Sequence, residues 1–219
     1  MSALRALFHD RADAGKRLAE DLGQYRGRAD VVVLGLPRGG VPVAYEVAKA
    51  LGAPLDVFVV RKLGLPGLEE LALGALASGG YRFVNDEVAT LYGVSPETLD
   101  EITAREQAEL LREEQEYRDG KPFPDLRGKT VILVDDGLAT GASMRAAVHA
   151  LRGSNAAQVI VAVPVAAPDT CDAVAESADN TVCSLTPQPF FAVGLWYEDF
   201  EQVSDEEVRR LLTEYGHKG

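Results

Sequence analysis

The chain has 219 residues and a formal net charge of −12, with 47% apolar and 26% charged residues. That length suits one α/β domain with an insertion and is short for two independent cores, and the acidic balance argues against nucleic acid or an anionic membrane surface as a partner. No apolar run approaches membrane-spanning length and the interrupted N-terminal stretch does not read as a signal peptide, so a cytoplasmic protein with Cys171 and Cys183 reduced is expected.

A first helix is predicted over Arg11 to Leu22, with Ala14, Leu18 and Leu22 on one face. A strand over Val31 to Leu36 follows, then a helix over Val41 to Leu51 closed by Gly52, and a second strand over Leu55 to Val60. The strand and helix alternation then pauses. Residues 61–128 hold a Gly/Pro turn at Gly64 to Gly67, a small apolar segment at Leu71 to Ala77, a short strand at Tyr81 to Val84 and helical stretches. The longest of these, Pro96 to Arg118, reads as a charged, solvated helix with one narrow apolar face.

Alternation resumes with a strand from Val131 and a helix over Ser143 to Leu151. A strand at Gln158 to Val163, a helix at Pro168 to Glu176 and a strand at Asn180 to Leu185 come next, before an aromatic segment at Phe190 to Phe200 and a last helix over Ser204 to Tyr215. The pattern predicts a doubly wound, mainly parallel sheet flanked by helices, within one domain over residues 1–219. An insertion with helical stretches would occupy 63–128, and a C-terminal aromatic segment 186–200. His9, His149 and His217 are scattered and receive no chemical role.

Chemistry concentrates after the strand that starts at Val131. Two acidic residues, Asp135 and Asp136, are followed by Gly137, Leu138, Ala139, Thr140, Gly141, Ala142 and Ser143 at the mouth of a helix. Gly137 and Gly141 permit tight turns, so backbone N–H groups can converge on one anion at the positive helix end, with Thr140 and Ser143 as hydroxyl donors. The carboxylates can hold ribose hydroxyls, directly or through a hydrated magnesium ion. A plain strand-loop-helix turn with an incidental acidic pair is the bland alternative.

This stretch resembles the phosphate-binding signature of the type I phosphoribosyltransferases, nearest to the version in adenine phosphoribosyltransferases, with Gly137 where a larger apolar residue is usual. The resemblance spans roughly residues 30–200. It implies phosphoribosyl pyrophosphate as ligand, Mg2+ placed by Asp135 and Asp136, and transfer of the 5-phosphoribosyl group to a nitrogen acceptor. Leu36-Pro37-Arg38-Gly39-Gly40 is similar to the family's pyrophosphate loop, which implies a cis peptide near Arg38, backbone N–H groups freed by Gly39 and Gly40, and Arg38 as a cation on the ligand. Arg61 and Lys62, ending the second strand, resemble the adenine-type pair that contacts pyrophosphate, with residues 63–80 as the mobile lid that would exclude water.

Phe190 to Phe200 resembles the hood of hypoxanthine-guanine phosphoribosyltransferases. On that reading Trp196 or Tyr197 stacks on the acceptor and Asp199 reads its N–H edge; a core edge or homodimer contact is the alternative. One extra residue separates Gly194 from Asp199, Ala139 stands where that class has an Asp, and the strand near Val159 to Val165 lacks a lysine, all of which weigh against a purine. No general acid or base is identifiable: Glu69, Glu70 and Asp199 are the candidates, and an ordinary surface carboxylate is the favoured alternative for each. Two other functions stay open: a regulatory protein that binds the same ligand without transfer, and a hydrolase acting on it.

Overall fold

The computed structural model describes residues 6–65 and 68–216, except for the side chains of 68–72. Five parallel strands form the main sheet in the order β2-β1-β6-β7-β8, where β1 is Val31–Gly35, β2 Leu55–Val57, β6 Thr130–Val134, β7 Gln158–Val165 and β8 Asn180–Leu185. β1 and β6 are buried along their whole length, as strands covered by helices on both faces must be.

Alternation sorts their side chains between two layers. Val31, Val33, Ile132 and Val134 pack on α1 (Arg11–Asp21) and α2 (Gly40–Leu51). Val32, Leu34, Val131 and Leu133 pack on α5 (Ala142–Leu151) and on Val174 of α6 (Pro168–Ala175). Each fully buried side chain of this kind contributes about 1.5–3 kcal/mol.

The expected strand over Leu55 to Val60 is interrupted. β2 ends at Val57, and from Val60 the chain joins a separate antiparallel sheet of β3 (Val60–Leu65), β4 (Leu68–Ala77) and β5 (Tyr81–Val84). The apolar segment at Leu71 to Ala77 is thus the central strand of the insertion; residues 66 and 67 of the expected turn lie outside the described residues. α3 (Asp86–Leu91) and α4 (Pro96–Arg118) follow, and α7 (Asp205–Gly216) packs against α2 and α4.

The insertion is tied to the sheet edge by Arg118. Buried at the end of α4, its guanidinium donates to Asp56 Oδ1 (3.0 Å), Glu114 Oε1 (2.6 Å), the Val57 carbonyl (2.7 Å) and Ser78 Oγ (3.0 Å), and lies over the Phe123 ring. Burial pushes the Asp56 carboxyl above its ordinary range and the Arg118 charge opposes that shift.

The two cysteines are not reduced as expected: Cys171 and Cys183 form a disulfide. α6 packs on β8, which brings residues 12 apart in sequence face to face with their Cα atoms 6.6 Å apart.

Candidate active site

β1 and β6 pair with Gly35 opposite Val134, so the loops that follow them leave the sheet at one level. Their contact is close. A Cβ on Gly40 would come 2.7 Å from the Val134 carbonyl and 2.8 Å from Asp135 Cα, and one on Gly39 would strike the Asp136 carboxylate, 2.8 Å from its Cγ. Neither glycine has a positive φ, and the Gly40 N–H donates to the Leu36 carbonyl (3.0 Å). Close approach, rather than a positive φ, therefore accounts for this pair. The Pro37–Arg38 peptide is cis, where the sequence pattern placed it. Arg38 Nη1 lies 3.8 Å from Asp205 Oδ2 at the start of α7.

Asp135 and Asp136 sit at the tip of β6. Asp135 Oδ1 accepts the Asp136 N–H (2.9 Å), and burial together with the adjacent Asp136 charge pushes the Asp135 carboxyl well above the carboxylate range. Asp136 is also raised by burial, against the pull of Arg11, whose Nε donates to Asp136 Oδ2 at 2.9 Å. Arg11 also donates to the Glu201 carbonyl (2.8 Å) and stacks on Phe200. Sequence reading missed Arg11 because it lies on the first helix, 125 residues from its partner.

The next turn forms a cradle. Gly141 has φ +67° and precedes α5, and the carbonyls of Ala139 and Thr140 accept from Thr170 Oγ1 (2.7 Å) and Arg145 Nη1 (2.9 Å). Because each peptide is planar and trans, the N–H groups of Thr140 and Gly141 point away from those partners. Leu138 is buried and anchored to the end of β7 through Val165 and Ala167, while Thr140 and Ser143 are exposed.

Arg61 and Lys62 are brought to the same region, where they line a cleft of about 400 Å³ with Ser143 and with Arg105 and Glu106 of α4. Arg61 is held by carboxylates: Nε and Nη2 donate to Glu106 (3.0 and 2.8 Å) and Nη1 to Glu113 (3.2 Å). The side chains of Glu69 and Glu70 lie outside the described residues.

In the hood, Trp196 and Tyr197 are turned into a cluster with Phe8, Ala14 and Val165, and each is about 95% buried. Tyr197 OH donates to the Asp136 carbonyl at 2.6 Å, bracing the acidic pair from below. The stacking role expected of these two rings has no free face to act through. Phe191, 69% exposed, is the most exposed ring of this segment, with Phe190 and Phe200 half-buried. Asp199 lines an acidic cleft with Asp10, Arg11 and Glu201, and its Oδ1 accepts the Glu201 N–H (3.1 Å).

A family model described as phosphoribosyl transferase domain matches residues 6–198. The chain belongs to the phosphoribosyl transferase family. It is 48% identical over 206 residues to a protein of Mycobacterium tuberculosis provisionally named a phosphoribosyl transferase, in strains H37Rv and CDC 1551 alike. The match takes in 94% of this chain and 46% of that protein, so the chain spans about half the length of the curated relatives it matches. The crystal structure of TT1426 from Thermus thermophilus superposes with a TM-score of 0.86 at 43% identity, over 95% of this chain and 98% of that one.

Within the phosphoribosyl transferase family pattern, the departure at Gly137 has a local cause. A Cβ there would lie 2.6 Å from Val193 Cγ1 and 3.0 Å from the Val165 carbonyl, so the hood occupies the space a larger residue would need. Magnesium fits this donor set in one way. Among the described residues no three His, Cys, Asp or Glu side chains converge, whereas two adjacent half-buried carboxylates do, which suits a cation held mainly by ligand oxygens and water.

Proposed function

We propose that this chain transfers the 5-phosphoribosyl group of phosphoribosyl pyrophosphate to a nitrogen of a base-like acceptor, with release of pyrophosphate. The observation that carries this reading is the contact of Gly39 and Gly40 with Asp135 and Asp136, which sets a loop bearing Arg38 against a half-buried acidic pair one turn before the Thr140–Ser143 cradle. Thr140, Ser143 and the N–H groups ahead of α5 would take the 5-phosphate. Asp135 and Asp136 would accept from the ribose hydroxyls, whose protons offset the cost of burying two like charges. Arg38 and Lys62 would meet the pyrophosphate.

The C1–oxygen bond to pyrophosphate breaks with its electron pair going to the leaving oxygen, and the acceptor nitrogen closes the new bond on C1. Charge builds on the leaving group, so fixed cations there do the larger part of the work. Magnesium, when bound, would add charge neutralisation on the pyrophosphate oxygens. Asp135 and Asp136 are the residues that would place it.

With Trp196 buried, the exposed Phe191 would be the ring of the aromatic segment to meet an acceptor. This would place the chain in nucleotide metabolism. Mass spectrometry of products, after incubation with magnesium, phosphoribosyl pyrophosphate and a panel of purines, pyrimidines and nicotinamide-like heterocycles, tests the reading. A phosphoribosylated acceptor supports it; ribose 5-phosphate and pyrophosphate alone would make the protein a hydrolase, and binding without turnover would make it a regulatory binder.

A further inference from the structure

Arg61 was expected to touch pyrophosphate, yet its guanidinium is directed into α4. Its Nε, Nη1 and Nη2 are all spent on Glu106 and Glu113. Glu106 is only 13% exposed, and its second oxygen accepts from Arg105 Nε at 3.1 Å. One carboxylate thus bridges a guanidinium on β3 and another on α4. Arg105 keeps a side chain 60% exposed and lines the same cleft as Lys62 and Ser143.

Three cations against two carboxylates, Glu106 in the cleft and Glu113 behind it, leave one local positive charge in a chain whose net charge is −12. Two guanidiniums and an ammonium this near one another repel. A shared carboxylate offsets that repulsion, holding Arg61 by Nε and Nη2 and Arg105 by Nε.

We propose that α4 supplies the second cation of the pyrophosphate site: Arg105 binds the ligand beside Lys62, and Arg61 with Glu106 positions it. This rests on the reading of the site as one for a sugar bearing pyrophosphate. Arg105 belongs to the pyrophosphate end because it is joined through Glu106 to the residue directly before Lys62. Ser143, the last residue of the 5-phosphate cradle, lines the same cleft.

Calorimetry on the full chain with magnesium, using phosphoribosyl pyrophosphate, pyrophosphate and ribose 5-phosphate as separate probes, tests the assignment. Losing one charge-assisted contact in Arg105→Ala should weaken the first two roughly ten- to hundredfold and leave ribose 5-phosphate within about twofold. Arg105 is exposed, so the variant keeps the wild-type melting temperature. Unchanged pyrophosphate affinity overturns the proposal, and so does an equal loss for all three probes.

Glu106→Gln gives a test of sign. A carboxylate that merely competes with the ligand would, once neutralised, let pyrophosphate bind more tightly. A positioning carboxylate predicts weaker binding despite the added positive charge, and tighter binding would overturn that role. If wild type binds pyrophosphate through Arg105 but not phosphoribosyl pyrophosphate, the cation wall stands and the proposed transferase function fails. If it binds neither, both fail.

Discussion

At the carboxyl edge of the parallel sheet, Gly39 and Gly40 meet Asp135 and Asp136 because β1 and β6 are neighbours in register. In the insertion, Lys62 and Arg105 share a cleft because α4 packs on β3 through Leu63, Ile102 and Leu110, and because Arg61 reaches carboxylates 45 and 52 residues away on α4. The first arrangement is fixed by backbone, with glycines that allow no side chain between the loops. The second places its charged groups by side-chain ion pairs above an apolar contact, and the geometry of those pairs can change without disturbing the core. The sheet edge is therefore the rigid half of the site and the insertion the adjustable half.

The largest expected effect attacks the rigid half. Replacing both Asp135 and Asp136 by Asn removes two charged acceptors, and affinity for phosphoribosyl pyrophosphate should fall at least roughly a hundredfold by calorimetry. Stability should move the other way in Asp135→Asn. A carboxyl raised in the folded state contributes stability that is complete below its unfolded range and is lost as pH climbs to the raised value. The charges that set this shift are Asp136, which raises it, and Arg11, which lowers it. Unliganded Asp135→Asn should therefore melt higher than wild type near neutrality, with the gap closing as pH drops into the ordinary carboxylate range. A gap that widens on acidification would contradict the assignment.

Second in size is the hinge between the two halves. Arg118→Met leaves Asp56 without its counter-charge and the Val57 carbonyl and Ser78 hydroxyl short of a donor. A loss of about 3–5 kcal/mol is expected in denaturant unfolding. Adding Asp56→Asn should recover part of it, since the uncompensated buried charge is then gone. If Arg118→Met costs under about 1 kcal/mol, the insertion is held by its apolar contacts instead.

How much of each half was legible in the sequence follows from the same contrast. Asp135 to Ser143 is one contiguous run on a strand-loop-helix turn, and its neighbours Pro37 to Gly40 occupy the equivalent turn one unit earlier, so position and chemistry read together. The insertion gave no such run. β4 contains Leu, Ala and Gly where strands usually carry β-branched or aromatic residues, and only pairing with β3 and β5 makes it a strand. α4 was placed at its observed bounds, Pro96 to Arg118, yet its charge pattern looked like a solvated face. Arg118 is buried and Glu106 half-buried by partners that no local spacing reveals. Arg11 was invisible for the same reason.

The Gly137 contact yields an effect of intermediate size. Gly137→Ala drives a methyl into Val193 and toward the Val165 carbonyl, and overpacking of that kind costs about 1–3 kcal/mol. Val193→Ala should restore much of the loss in the double variant, because it removes the atom in the way. Additive losses in the thermal unfolding of the two single variants and the double would mean that the hood does not set the size of residue 137.

The smallest expected effect on stability falls in the hood, where one ring is exposed and the others are not. Phe191→Ala deletes a side chain that is 69% exposed, so unfolding free energy should stay within about 0.5 kcal/mol of wild type. If that ring is the acceptor's stacking surface, the acceptor's KM should nevertheless rise roughly ten- to hundredfold, in line with about 1–3 kcal/mol per stacked base. The KM for phosphoribosyl pyrophosphate should not follow, because neither the acidic pair nor the cradle includes Phe191. Trp196 and Tyr197 sharpen the contrast: both are core residues, and truncating either should lower the melting temperature before it touches acceptor selectivity. Acceptor kinetics that ignore Phe191→Ala at unchanged stability would leave the aromatic segment a packing element alone, with recognition moved to the adjustable insertion.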